Sequence, residues 1–482
     1  MLFNSFTFLL FFAVLVFAYY GIPHKFRWIL LGIASLYFYS TFNVGYVLLL
    51  IGAALVTYVW GLAIGRPERG RKTLLMAVGV STIVAPLFVC KYFDFSVASL
   101  EALLATTGIG DAEFAFPRLG LLQPAGLSFF TFSCVSYLVD VYRGQLPVER
   151  NPGRLVLYVA FFPKLLAGPI ERATTFLPQL LRPVRFNPEM VTLGLQLILW
   201  GLFKKVVIAD RLSIFVGTAY KLPMMTSPAD LVIATYFFAF QIYCDFSGYA
   251  DMAIGIARVF GIDLMENFRR PYCSTSVGEF WSQRWHISLT KWFRDYMFIP
   301  LGGSRVSKLR VYFNIMAVFV VSGLWHGANW TFVVWGGLNA LYQIVSLATA
   351  RMRDKVAQFL PIPTAMSSFL NGLVTFHLIL VSWVFFRAAS ISDACTIFSR
   401  VAASFTKLPM MFTARVYTDE IILSVVCIAV LLLVEAIDER RSLWERLQNS
   451  PVYVRWTCYY AVLICLTVFG KWNLTEFVYM QF

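Results

Sequence analysis

The sequence predicts an all-α polytopic membrane protein with roughly 11–13 transmembrane helices and additional re-entrant or horizontal segments. Three observations carry that prediction. Of the 482 residues, 59% are hydrophobic and only 14% charged, where soluble domains carry about 25% charge. The apolar residues come in runs of about 20, the length that crosses a hydrocarbon core as a helix. The basic residues gather in short stretches between those runs: HKFR at 24–27, RPERGRK at 66–72, RMRDK at 351–355 and DERRSLWER at 438–446. This is the positive-inside pattern, so the net charge of +14 points to a cytoplasmic face and anionic lipid headgroups, not to nucleic acid.

The first apolar run, MLFNSFTFLLFFAVLVFAYYG, has no basic residue ahead of it and no A-x-A-like cleavage site. It reads as a retained membrane helix and not as a signal peptide. Candidate spans follow at 5–21, 28–42, 44–64, 73–92, 119–139, 190–217, 229–258, 311–326, 330–350, 367–386, 420–436 and 453–470. With the basic loops near 25, 68, 145–154, 258–310, 353 and 440 in the cytoplasm, the alternation closes and both termini face away from it. The segment 93–118, with Asp94, Glu101, Asp111 and Glu113, falls on the outer side. No internal repeat, low-complexity run or soluble linker is evident. The chain therefore reads as one membrane-embedded domain over 1–482, with 93–118 and 387–419 as partner-docking surfaces or lids.

Two stretches resist this scheme. YVAFFPKLLAGPIER (158–172) is apolar but punctuated by Pro163, Gly168 and Pro169, which predicts a re-entrant segment buried in protein. SVGEFWSQRWHISLTKWFRDYMFIPL (276–301) holds too many polar groups to span in contact with lipid. Drawn as a helix at about 100° per residue, it puts Gln283, His286 and Thr290 within about 40° of Glu279. Trp281, Trp285, Trp292 and Tyr296 collect opposite. Such a helix either lies flat at the interface or lines a polar cavity, and a polar stripe of uncharged and acid–base groups favours the cavity.

The four histidines are His24, His286, His326 and His377. His24 sits in a basic loop and His377 alone in an apolar run, which fits a solvated and a packed structural role. His326, in GLWHGANW, and His286, in RWHIS, combine polar surroundings with membrane-like flanks. An ionisable group at membrane depth is costly and marks a functional site. Burial keeps imidazole neutral, a form able to take a hydroxyl or thiol proton during acyl transfer. Gly323, Gly327 and Ala328 would leave room for a substrate to approach His326, with Trp325 and Trp330 as walls. The alternative is a Trp–His element of the interfacial belt. Asp245 and Asp251 lie in one apolar run without sharing a helix face, so each needs its own partner. The eight cysteines are scattered without C-x-x-C or Cys/His spacing, which predicts small buried hydrophobes and no metal site.

The segments FFPKLLAGPIER, YCDFSGYADMAIGIARVFGIDLMENFRRPY, FWSQRWHISLTKWFRDYMFIPLGG and SGLWHGANWTFVVWGGLNA resemble the membrane-bound O-acyltransferase (MBOAT) family, in its bacterial alginate O-acetylation branch. The resemblance covers residues 1 to 350, with the motif-bearing core at about 120–350; beyond it the likeness is mainly one of hydropathy. It implies a funnel-like fold with a central tunnel joining the two membrane faces. It also implies His326 and His286 as catalytic residues. Glu279, Gln283, Thr290, Trp325 and Asn329 would line the tunnel. Some alginate-type relatives carry His where Lys164 stands, so no role is carried to that position.

The function implied is transfer of an acetyl group from cytosolic acetyl-CoA across the bacterial inner membrane, for O-acetylation of an exported or cell-wall polysaccharide. No tightly bound cofactor is implied, and the partner would be a separate periplasmic acetyltransferase. The alternatives are D-alanyl transfer to teichoic acid from a carrier-protein thioester, a polysaccharide or lipid transporter, and a scaffold without chemistry.

Overall fold

The computed structural model describes residues 1–66, 71–107, 116–359, 363–407, 419–440, 443–472 and 477–478. Among these, every regular element is helical. Asp111 and Glu113, and the parts of the basic stretches at 67–70 and 441–442, lie outside the described residues.

Each expected span coincides with a helix. Among the described residues nine are long and apolar enough to cross a membrane: Val44–Ile64, Lys72–Thr107, Pro188–Lys221, Pro228–Val259, Lys308–His326, Trp330–Ala348, Thr364–Arg387, Asp419–Asp438 and Val452–Phe469. Phe6–Gly21 and Leu127–Tyr142 are apolar but shorter, and His24–Ser40 has 17 residues. Phe6, Phe17, Leu309 and Met225 stand more than four-fifths exposed. In water such a surface would drive aggregation; against lipid tails it is the surface a membrane protein needs.

The boundaries move where local chemistry dictates. The helix expected at 119–139 starts only at Leu127, because Pro124 precedes it and Gly126 takes a positive φ of 76° as its cap. A Cβ on Gly126 would meet the Leu165 carbonyl oxygen at 2.5 Å, so the helix start rests directly on the 158–172 segment. The span expected at 73–92 continues to Thr107, through Pro86 and a π turn over Phe88–Tyr92. That turn carries Lys91 and Tyr92, both used below.

Pro228–Val259 is the axis of the fold, 83% of its most apolar window being buried inside protein. Its packing against Pro188–Leu202 depends on glycine. Gly255 lies on the Gly194 carbonyl and Gly248 on the Gly201 carbonyl, and a Cβ at any of the four would strike backbone. Such small-residue contacts let membrane helices approach closely. The π turn Phe203–Ala209 brings two lysines onto the same helix. Lys205 Nζ lies 2.6 Å from Asp245 and 2.9 Å from Asp210, and Lys204 Nζ lies 2.6 Å from Asp251. Each aspartate thus finds its own partner. Paired charges of this kind hold a geometry, and removing one member costs about 3–5 kcal/mol.

The 158–172 stretch does not cross. It breaks into Pro152–Ala160 and Phe162–Leu165 and then a turn and an irregular strip to Ala173, and residues 157–171 are all buried. Irregular backbone at membrane depth is tolerated under that condition. The 276–301 stretch departs from expectation, because it is not one helix. A short turn Val277–Glu279 and a π turn Phe280–Arg284 end at Trp285, which is extended; the chain restarts as Ile287–Phe293. Between the two pieces stands His286.

Candidate active site

His286 adopts a left-handed backbone, φ 43° and ψ 53°. Among the described non-glycine residues only Arg270 shares a positive φ. A side-chain-bearing residue pays about 1–2 kcal/mol for this conformation, and strain of this sort concentrates at functional sites. Hydrogen bonds on both sides hold it. Trp285 N donates to Phe280 O at 2.8 Å, and Ile287 N donates to Asn267 O at 2.9 Å. His286 O accepts from the amides of Leu289 and Thr290 at 3.0 and 3.1 Å.

The brace extends outward through buried polar side chains. Asn267 is fully buried, and its Oδ1 accepts from Ser288 N at 3.2 Å and Ser288 Oγ at 2.9 Å. Ser288 Oγ in turn accepts from Ile170 N at 3.0 Å. The buried Glu171 carboxylate accepts from Met265 N at 2.8 Å and from the Thr175 hydroxyl. The segments AGPIER, ENFRR and RWHIS are thereby one physical unit whose product is the placement of a single imidazole.

His326 is the last residue of Lys308–His326. Of the small residues around it, Gly327 and Ala328 line an adjoining cavity, and Gly323 and Gly327 also serve packing. A Cβ on Gly323 would meet the Phe332 carbonyl, and one on Gly327 would meet the Phe332 ring. They therefore let Lys308–His326 fold tightly back on Trp330–Ala348. Asn329 caps that second helix, Oδ1 accepting from Thr331 N at 3.0 Å, while Nδ2 donates to Ala389 O at 3.1 Å. The His326 ring sits edge-on to Trp325, Trp335 and Phe386, with centroids 4.9, 5.1 and 5.4 Å away. Trp325 also faces His286 at 6.0 Å, and Phe246 meets His286 edge-on at 4.6 Å.

The two imidazoles share a cavity of about 210 Å³, whose walls include Thr290, Trp281, Ser322, Gln343 and Arg294. His326 borders a second, small cavity with Lys91, Gln123, Ser128 and Trp325. It therefore stands where two spaces meet. Of the residues proposed from sequence, His286, His326 and Thr290 line the first cavity and Trp325 the second; Asn329 lines a third, adjoining space. Glu279 and Gln283 are not among these linings, because the break at His286 turns them away. Glu279 pairs instead with Arg284 at 2.6 Å and accepts from Thr275, and Gln283 is exposed.

Burial removes hydration from His286 and holds its pKa well below the ordinary 6.5, so the ring is neutral near pH 7. Lys164 is buried over the Tyr158 ring, 4.0 Å from its centroid, and donates to Ser133 Oγ at 3.3 Å. Burial draws its pKa down to about 7, opposed in part by Glu171. It does not reach the shared cavity. His377 donates to or accepts from Tyr236 at 2.8 Å and Leu373 O at 2.8 Å, a packed role. Among the described residues no group of three His, Cys, Asp or Glu side chains could hold a metal ion.

Sequence reasoning missed Asn267, Ser288, Glu171 and Lys91. The first three lie inside the motif segments, and their signal was a polar residue within a passage otherwise built for burial.

Comparison with known proteins adds an independent line. The model of the MBOAT family, described as membrane-bound O-acyltransferases, matches residues 151–391. The chain is 36% identical over 408 residues to a probable alginate O-acetylase AlgI of Pseudomonas putida, covering 83% of this chain and 79% of that protein. It is 35% identical over 394 residues to a peptidoglycan O-acetyltransferase of Helicobacter pylori, covering 76% and 72%. A teichoic acid D-alanyltransferase of Bacillus subtilis is 28% identical over 334 residues, covering 66% and 79%.

Proposed function

The chain belongs to the membrane-bound O-acyltransferase family, and on that premise we propose that it takes an acetyl group from cytosolic acetyl-CoA and passes it through the bilayer for O-acetylation of an exported or cell-wall polysaccharide. It is an acyltransferase and a multi-pass protein of the bacterial inner membrane. The donor, the acetyl group, the glycan and a periplasmic acetyltransferase partner are the parts of this reading still to be tested.

The observation that carries it is the position of His326 between two cavities. With the basic loops in the cytoplasm, the first has Arg294 and Gln343 of the cytoplasmic side in its wall, and the second lies beside Lys91 and the outer end of Lys308–His326. Arg294 at the inner mouth suits the phosphates of a coenzyme-A thioester. The apolar, aromatic walls suit a short acyl group.

In this reading the thioester carbonyl reaches the shared cavity and neutral His286 donates a ring N–H to its oxygen. An electrophilic role for neutral imidazole needs a ring kept from protonation, which burial supplies. His326 acts as general base or as transient acyl acceptor. As base it takes the proton of the acceptor hydroxyl while that oxygen attacks the carbonyl carbon. The C–S bond then breaks and the proton passes to the departing thiolate. Thr290, Trp325 and Asn329 shape the passage.

The test is donor choice. Proteoliposomes given labelled acetyl-CoA on the cytoplasmic side should transfer label to acceptor on the other. Preference for a D-alanyl carrier-protein thioester would replace this reading with the second one, which the teichoic acid relative favours.

A further inference from the structure

The helix Leu127–Tyr142 starts inside the protein with its end uncapped. Its cap residue is Gly126, which has no side chain to give, and no side-chain hydrogen bond closes the first turn. The first amides of a helix have no partner within it, and a bilayer has no water to offer them. Leu127 N donates to Pro124 O, and Phe129 N and Phe130 N donate to Gly126 O. The Ser128 amide meets no acceptor among the described residues. The Ser128 hydroxyl meets no partner either, although the residue is only 6% exposed. Buried hydroxyls elsewhere in the bundle, those of Ser35, Ser136 and Ser382, return to a carbonyl three or four residues back. A buried donor left unmet is costly and calls for an explanation.

The unmet groups adjoin His326. Gly126, Ser128 and Phe129 line the small cavity that His326 borders, and its volume is about 20 Å³. A water needs about 10–15 Å³, so the space admits a guest of one oxygen. His326 also lines the cavity of about 210 Å³ that it shares with His286. A carbonyl carbon held at the His326 ring therefore has a one-atom recess beside it. The start of a helix favours negative charge there, through its free amide and its dipole.

We propose that this recess is an oxyanion hole and that Ser128 is a further catalytic residue, its amide and hydroxyl donating to the oxygen of the thioester carbonyl. The proposal rests on the reading of the chain as an acyltransferase, and adds the group that stabilises its transition state. As the acceptor oxygen attacks, the π electrons of the carbonyl move onto its oxygen. Collapse restores the C=O bond and expels the thiolate, which receives the proton that His326 took from the acceptor. Ser128 loses no proton and forms no covalent bond. Fixed neutral donors in a site without bulk water act most strongly on charge that develops during reaction. His286 meets the same carbonyl from the larger cavity, since such an oxygen accepts more than one hydrogen bond.

The experiment uses the full chain in proteoliposomes with whichever thioester the wild type accepts, acetyl-CoA or a D-alanyl carrier protein. Ser128→Ala should melt like the wild type, because the hydroxyl it removes has no partner in the protein. Its kcat should fall about a hundredfold with KM for the thioester nearly unchanged. Ser128→Thr keeps a hydroxyl and should stay within about tenfold of the wild type. Infrared spectra of the carbonyl-labelled thioester, bound without acceptor, give a readout apart from turnover. The C=O stretch should lie below its solution frequency in the wild type and move back toward it in Ser128→Ala. Wild-type kcat and an unmoved stretch in Ser128→Ala would overturn the proposal and leave the recess a site for an ordered water only. A variant that melts lower but keeps wild-type kcat would overturn it equally. Transfer that ignores Ser128 sinks the inference alone; no transfer by the wild type from either thioester sinks the reading beneath it.

Discussion

Lys91 Nζ donates to the Trp325 carbonyl at 2.7 Å and to the His326 carbonyl at 3.2 Å. Beside it, the Tyr92 hydroxyl donates to Leu324 O at 3.0 Å. The last carbonyls of a helix have no partner within it, and a bilayer supplies no water to replace one. A lysine and a tyrosine on the π turn of a distant helix therefore finish the helix that ends in His326. A cation at a helix C-terminus is also favoured by the backbone dipole.

Lys91→Met should leave those carbonyls without their donor, at about 1–3 kcal/mol for a buried unmet group. The variant is expected to insert, to melt lower, and to transfer acetyl about tenfold or more slowly with little change in KM for acetyl-CoA. Thermal melts in detergent and initial rates check this, and an unchanged kcat would remove Lys91 from the account.

His286 separates backbone strain from chemistry. Asparagine tolerates the left-handed region better than most residues, so His286→Asn should melt within ~1 kcal/mol of the wild type. Its acyl transfer should nonetheless fall about a hundredfold or more, the usual loss of an acid–base group. Paired melts and rates decide it.

The same residue sets a pH dependence. Burial holds the His286 pKa well below 6.5, so below that pH the unfolded chain binds a proton that the folded chain does not. Stability from this ring is complete above 6.5 and lost as pH falls beneath it. Wild-type melting should drop more steeply between about pH 7 and pH 5 than that of His286→Asn, since the variant has one buried imidazole fewer to keep uncharged. Identical slopes would contradict the assignment.

Asn267→Ala tests the brace. Asn267 holds Ser288, which in turn accepts from Ile170, so its loss should lower kcat by about tenfold while leaving KM for acetyl-CoA near its original value. A change confined to KM would place Asn267 in donor binding instead.

Hydropathy made the span positions legible because twenty apolar residues have few other fates. The pairing of Asp245 and Asp251 with separate partners followed from their spacing, but the identity of those partners did not. Lys204 and Lys205 sit next to one another in sequence, and only a π turn lets both face Pro228–Val259. The helical wheel over 276–301 found His286 and Thr290 but misplaced Glu279 and Gln283. A wheel assumes one uninterrupted helix, and nothing local in QRWHIS announces a left-handed histidine. The glycines beside His326 were visible, yet their purpose depended on Phe332 from the next helix. Lys91 was out of reach for the same reason: its partners lie 234 and 235 residues away.

The most direct test of the central claim is label transfer by His326→Ala in proteoliposomes supplied with acetyl-CoA on the cytoplasmic side. The account predicts protein that inserts and melts like the wild type and moves no acetyl to the outer acceptor. Wild-type transfer by that variant would contradict it.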